Sequence, residues 1–138
     1  MSGSVTTIAV AVVVKRGQVL VGRRSAEAAE AAGLDEFPGG KVEAGETAAA
    51  AAARECLEET GLVVRIGQTI EEALAPGTRG PLRIIFLWAE PVDEAARPRP
   101  PFSWHAFERL PELRFPPANA GVLAALARRA AAADQGGS

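Results

Sequence analysis

Three glutamates near the end of an alanine-rich stretch carry the most chemical information in the sequence. They are Glu55, Glu58 and Glu59, in Arg54-Glu55-Cys56-Leu57-Glu58-Glu59-Thr60-Gly61. In a helix, with about 100° between successive residues, they fall on one face. Like charges three and four residues apart destabilise a helix by roughly 0.2–0.5 kcal/mol per pair. The C-terminal end of a helix is also the unfavourable end of its dipole for anions. A bound divalent cation would offset both effects. Hard cations such as Mg²⁺ take carboxylate and carbonyl oxygens and keep waters and substrate phosphates in their shell. Without a cation, the same acids would be a solvated face.

The residues around them predict how the acids are positioned. Thr47 is a helix N-cap, because its hydroxyl can accept a free N–H of the first turn. Ala48 to Ala53 are strong helix formers. Gly61 supplies the left-handed residue that commonly ends a helix. Before the helix, Phe37-Pro38-Gly39-Gly40 reads as a glycine loop that lets backbone approach a ligand, with a carbonyl free to face a metal. Lys41 is placed either to reach a phosphate or to be a surface lysine. Arg23-Arg24 close a strand, where they are either a solvated end or a phosphate contact, since guanidinium forks suit phosphate oxygens.

Elsewhere the chain alternates strands, turns and one further helix. Thr6 to Val14 is β-branched and apolar, a buried strand. Lys15-Arg16-Gly17-Gln18 is a turn, and Val19 to Gly22 completes a hairpin. Ser25 to Asp35 is a polar excursion. Leu62 to Ile66 and Thr69 to Ala75 read as strand. The cluster from Pro76 to Pro81 is a turn, and Leu82 to Ala89 a returning strand. Pro91 to Pro101 is an extended surface loop, and Phe102 to His105 a short last strand. His105, the only histidine, reads as structural. Paired prolines before Ala118 set the start of an amphipathic helix over Ala118 to Ala133, with Val122, Leu123 and Leu126 inward and Arg128-Arg129 outward. Residues 134–138 are expected to be a disordered polar tail. The expectation is one α/β layered domain over residues 1–133.

Composition narrows the class. The chain has 138 residues, 48% hydrophobic and 23% charged, enough for one domain with a real core. A net charge of −2 gives no nucleic-acid footprint, so no stable nucleic-acid binding is expected. A single cysteine excludes an internal disulfide and fits a reducing compartment. The apolar run Ile8 to Val14 is too short to span a bilayer, and no membrane partner is expected. The reading is a cytoplasmic protein, monomeric or homodimeric.

Gly40, Glu46, Arg54-Glu55, Glu58-Glu59, Gly61 and Leu62, at the spacings found here, resemble the Nudix box at every specified position. Cys56 fills a slot usually held by a larger aliphatic, a conservative departure because free cysteine packs as a small hydrophobe. Within the Nudix hydrolases the chain further resembles the MutT-type 8-oxo-dGTP diphosphatases. Ile8-Ala9-Val10, Arg23-Arg24, Glu36-Phe37-Pro38-Gly39-Gly40-Lys41, Trp104 and Phe115-Pro116-Pro117-Ala118-Asn119 carry that likeness, over nearly the whole chain.

The resemblance implies a Nudix fold, a mixed β-sheet sandwiched between helices. It implies Mg²⁺, with Mn²⁺ as the alternative ion, ligated by Glu55, Glu58, Glu59 and the Gly39 carbonyl. Glu55 would also be the candidate base. Arg54, paired with Glu46, would orient the glutamates, so the catalytic set is Glu55, Arg54, Glu58 and Glu46. The substrate would be a nucleotide held by Arg23, Phe37, Lys41 and Asn119, and the reaction the hydrolysis of 8-oxo-dGTP to 8-oxo-dGMP and pyrophosphate. Asn119 would read the base. 8-Oxoguanine carries a proton on N7, and a side-chain amide can accept from N7–H while donating to O6. The alternative for Asn119 is a helix cap. Relatives of this type carry a further glutamate before Trp104. Here that region is Arg97-Pro98-Arg99-Pro100-Pro101, with no acid, and Asp93 and Glu94 lie earlier as substitutes if the loop is displaced. Two other functions stay open: the same chemistry on another nucleotide, such as CTP, dCTP or a broad set of modified dNTPs, and a Nudix-fold binding module without catalysis. The second usually loses box glutamates, which this chain keeps.

Overall fold

The computed structural model describes residues 5–28 and 32–136. Strand β1 (Thr6–Lys15) is the centre of the molecule, followed by β2 (Gln18–Arg23), β3 (Asp35–Glu36) and β4 (Gly39–Lys41). Helix α1 (Ala48–Thr60), β5 (Val64–Ala75), β6 (Leu82–Pro91), β7 (Ser103–Ala106) and α2 (Ala120–Gly136) complete the order, with 3-10 turns at Phe107–Glu112 and Pro117–Asn119. The sheet runs β3-β2-β1-β6-β5, with β4 on β1 and β7 on β2. It is mixed: β1 and β6 are parallel, whereas β1–β2, β1–β4 and β5–β6 are antiparallel.

The continuous apolar run in β1 has a direct cause. Ala9, Ala11 and Val13 face α1 and pack with Ala51, Ala52 and Cys56. Val10, Val12 and Val14 face the other way, beside Phe86 of β6 and onto Val122 and Leu126 of α2. A strand covered on both faces has no polar alternation to show. Arg16 and Gly17, both at positive φ, make the tight turn into β2. Thr47 caps α1 by accepting from Ala50 N–H, and Gly61 ends it in the left-handed region at φ 79°. The alanine face lets α1 lie close to the sheet.

Several details depart from the expectation. Gly39-Gly40-Lys41 is not a loop but strand β4, paired with Val10, Ala9 and Ile8. β3 lies at the end of the polar excursion and pairs with the end of β2, where Arg23 faces Asp35 and Gly22 faces Glu36. The two predicted runs after α1 are one strand, β5, interrupted by register shifts between Ile66 and Thr69 and between Thr69 and Glu71. A bulge removes the periodicity that would have joined them. The turn at Pro117–Asn119 is 3-10 rather than α-helical, so α2 begins at Ala120. α2 continues to Gly136, into the segment expected to be a tail, whose last two residues lie outside the described residues. Among the described residues, no helix is long and apolar enough to cross a membrane.

Candidate active site

The site is assembled where β4 meets the last two turns of α1. Arg54 is its hub. Its Nε donates to Glu46 Oε2 at 2.8 Å, and its Nη2 donates to Glu46 Oε1 at 2.9 Å and to the Lys41 carbonyl at 3.1 Å. Its Nη1 reaches Glu55 Oε2 at 3.1 Å and Glu58 Oε1 at 3.4 Å. The bidentate pair is the strong form of the contact. It holds the Glu46 carboxyl at about 2, through the Arg54 hydrogen bonds first and the Glu43 N–H second. The same pair raises Arg54 above its ordinary value. Arg54 thus gathers two of the three helix acids and fixes the Glu43–Glu46 turn, whose Glu43 N–H donates to Glu46 Oε1 at 2.9 Å.

The glycines make room. A Cβ on Gly40 would overlap the Glu55 carboxylate. A Cβ on Gly39 would lie 2.5 Å from the Ala9 carbonyl oxygen and 2.8 Å from Val10 Cα. Gly39 is therefore required by strand pairing, and Gly40 by the approach of Glu55. Glu59 accepts from Gly39 N–H at 3.2 Å. Burial pushes its carboxyl up to about 7, against the Gly39 hydrogen bond and with Glu36 and Glu55 nearby adding to the rise.

This donor set fits a hard divalent cation: carboxylate oxygens, a raised carboxyl and a close backbone. Among the described residues no three acidic, histidine or cysteine side chains form a ready-made ligand cluster. Cys56 is not part of the site. It is fully buried, and burial pushes its thiol up to about 11, so it is an inert packing residue.

The predicted substrate residues fall into two groups. Asn119 is 8% exposed. Its backbone N–H donates to the Pro116 carbonyl at 3.0 Å, and among the described residues its side chain caps no helix. Phe37 is buried and stacks on Phe115 at 4.7 Å with an interplanar angle of 19°, so it supports the Asn119 segment from beneath. Arg23 leans on Asp35, with Nη2 at 3.3 Å from Oδ1, and its side chain remains mostly exposed. Lys41 is exposed, and its carbonyl, not its ammonium, is what the box uses. Lys41 also borders a cavity of about 420 Å³ with Thr7, Glu46 and Arg83. Cavities of about 340 Å³ and 320 Å³ lie around Val14, Arg65, Glu90 and Arg129, at the C-terminal end of β1 beyond its pairing with β4. Chemistry marks the site here, and cavity size does not.

The substitutes for the missing downstream glutamate are engaged elsewhere. Glu94 accepts from Arg16 Nε at 2.7 Å, while its carbonyl accepts from Lys15 Nζ. Asp93 Oδ1 accepts from Ala95 N–H at 2.9 Å. Both are held by partners outside the box. The loop instead places Arg99 on the end of α1. Its Nη1 donates to the Glu58 carbonyl at 2.8 Å, and its backbone N–H donates to the Thr60 carbonyl at 2.8 Å. His105 pairs with Ser103 Oγ at 3.1 Å through Nε2, in keeping with a structural role. Asp35 and Arg99 carry no signal in the sequence, because their partners are distant in the chain.

Comparison with known proteins agrees with this geometry. The NUDIX domain family model matches residues 5–126. A Mycobacterium tuberculosis protein named "Putative 8-oxo-dGTP diphosphatase 2" is 36% identical over 127 residues, covering 88% of both chains. The Escherichia coli protein named 8-oxo-dGTP diphosphatase is 35% identical over 122 residues, covering 83% of this chain and 89% of its own. The solution structure of the Escherichia coli ORF135 protein superposes with a TM-score of 0.75 at 26% identity, covering 94% of each chain. With Glu46, Glu55 and Glu58 in place around Arg54 and the family model spanning most of the chain, this protein belongs to the Nudix family and is a Nudix hydrolase.

Proposed function

We propose that this hydrolase cleaves 8-oxo-dGTP to 8-oxo-dGMP and pyrophosphate with Mg²⁺, clearing the oxidised nucleotide from the precursor pool. The observation that carries the catalytic part is the Arg54 hub, which holds Glu55 and Glu58 side by side while Gly40 leaves space for Glu55. The relatives named as 8-oxo-dGTP diphosphatases support the substrate.

When bound by Glu55, Glu58, Glu59 and the Gly39 carbonyl, the ion would neutralise phosphate charge and lower the pKa of water. Hydrolysis of a phosphoanhydride is otherwise mostly positioning. Glu55 takes the proton of the water that attacks the β-phosphorus, and the nucleoside monophosphate leaves. Arg54 fixes the acids, and Glu46 fixes Arg54. On the base side, the Asn119 amide accepts from N7–H of 8-oxoguanine and donates to O6. Ordinary dGTP offers a lone pair at N7, so the amide oxygen faces an acceptor. A site built around such a bond discriminates by about 10⁴ or more. For Arg23, mostly exposed beside Asp35, the proposed role is a contact with the nucleotide, and the exposed Lys41 ammonium would reach a phosphate from outside the Arg54 network.

The test is a panel of dNTPs, NTPs and 8-oxo-dGTP with Mg²⁺ or Mn²⁺, scored for monophosphate and pyrophosphate. Preference for 8-oxo-dGTP is the expected result, and best turnover of CTP or dCTP would replace the substrate. Glu55→Gln should lose most turnover while staying folded, and wild-type turnover would remove Glu55 from the mechanism. Asn119→Ala should erode the preference over dGTP more than it lowers dGTP turnover.

A further inference from the structure

Glu71 is placed by a β-bulge. In the β5–β6 pairing, Thr69 lies opposite Leu87, which packs on the α1 face, and Glu71 lies opposite Phe86, which packs on the α2 face. In a regular strand Thr69 and Glu71 would share a face, because side chains alternate. The register shift between them sends Glu71 to the other side of the sheet. There its carboxylate lies against Gly121, two residues beyond Asn119, where a Cβ would overlap it. Glu71 is half-buried, and among the described residues it makes no hydrogen bond or ion pair. A carboxylate has been turned towards the base-reading segment, given room by a glycine, and left without a protein partner.

We infer that Glu71 reads the guanine edge that carries N1–H and the exocyclic amine. This rests on the proposed reading that a guanine-type base lies beside Asn119. A carboxylate is an acceptor-only group with two oxygens, and this edge of guanine presents two adjacent donors. Asn119 covers N7 and O6, and Glu71 covers the next two positions around the ring. The pair divides the work: Asn119 reports oxidation at C8, and Glu71 reports guanine against other bases. Adenine presents an acceptor at N1 and would face the carboxylate with a lone pair.

The experiment compares 8-oxo-dGTP with 8-oxo-dITP, which lacks the exocyclic amine, in the wild type, Glu71→Gln and Glu71→Ala. The wild type should favour 8-oxo-dGTP in kcat/KM by at least about tenfold, because the unpaired carboxylate oxygen penalises the analogue. Both variants should bring that ratio close to unity, while the preference for 8-oxo-dGTP over dGTP, set by Asn119, persists. A ratio unchanged in both variants, with only the Tm lowered, would make Glu71 an anion that steadies the start of α2 and overturn the inference. So would a wild type that treats the two analogues alike. If the wild type shows no preference for 8-oxo-dGTP over dGTP, the Asn119 reading fails by itself. Glu71 is then decided by dGTP against dITP, since both guanines share this edge.

Discussion

The Asp35 carboxylate accepts the backbone N–H of Arg114 at 2.7 Å, and the Asp35 N–H donates back to the Arg114 carbonyl at 2.8 Å. Asp35 is 4% exposed and stands four residues before Gly39; Arg114 stands five residues before Asn119. This one pairing ties the segment leading to Asn119 to the strand that enters the box, and the Phe37–Phe115 stack reinforces it. Replacing Asp35 with Leu removes the acceptor of the part-buried Arg114 N–H and should destabilise the fold by about 1–3 kcal/mol. Asp35→Asn keeps an acceptor and should lose less than half of that. Urea unfolding of both variants decides it, and equal losses would mean that the charge, not the acceptor, matters.

Adjacent glycines should fail in different ways. Gly39→Ala meets backbone on β1, which cannot yield, and should destabilise by about 1–3 kcal/mol. Gly40→Ala meets only the end of the Glu55 side chain, which can swing away. Its Tm should stay near wild type while turnover falls by about 100-fold or more, the scale of a misplaced reacting group. Thermal melts beside steady-state kinetics separate the two, and a fully active Gly40→Ala would show that Glu55 tolerates displacement.

Stability of the metal-free protein should depend on pH through Glu59. Its folded carboxyl sits at about 7, above the ordinary 4.5, chiefly because it is buried. Between those values the folded state keeps a proton that the unfolded chain releases, so stability falls as pH rises through that window. Calorimetry in EDTA should therefore give a Tm that drops from pH 5 towards pH 7, with a flatter profile in Glu59→Gln. On the proposed reading, in which Mg²⁺ takes the ionised Glu59, adding the ion should remove the slope. A flat profile for the wild type in EDTA would rule out the raised carboxyl.

Arg99 should matter to the helix end that carries the glutamates. It supplies two donors to the last-turn carbonyls of α1, at Glu58 and Thr60. Arg99→Ala removes the side-chain bond and keeps the backbone one, so the expected loss is about 0.5–1.5 kcal/mol. Equilibrium unfolding measures it, and Arg99→Lys should recover part of the loss. A loss below about 0.2 kcal/mol would leave the contact without energetic weight.

The sequence by itself determined the chemistry that lies within one helix and its caps. Thr47, the alanines, Gly61 and the acids at 55, 58 and 59 are related by helical geometry alone, so their spacing fixes their common face. The Arg54–Glu46 pair was implied by the resemblance to the Nudix box rather than by helical spacing, since Glu46 lies before the first turn of α1. The sheet decided the rest. Gly39 and Gly40 became strand because β1 offered them an edge, which no local pattern announces. Glu94 was drawn to Arg16 at the far hairpin, and Arg99 took a place on α1 instead. Glu71 faces α2 only because a bulge shifts its register, and strand periodicity cannot reveal an inserted residue before the partner strand is known. Contacts between residues far apart in the chain depend on register and layer packing, and these exist only once the whole core has closed.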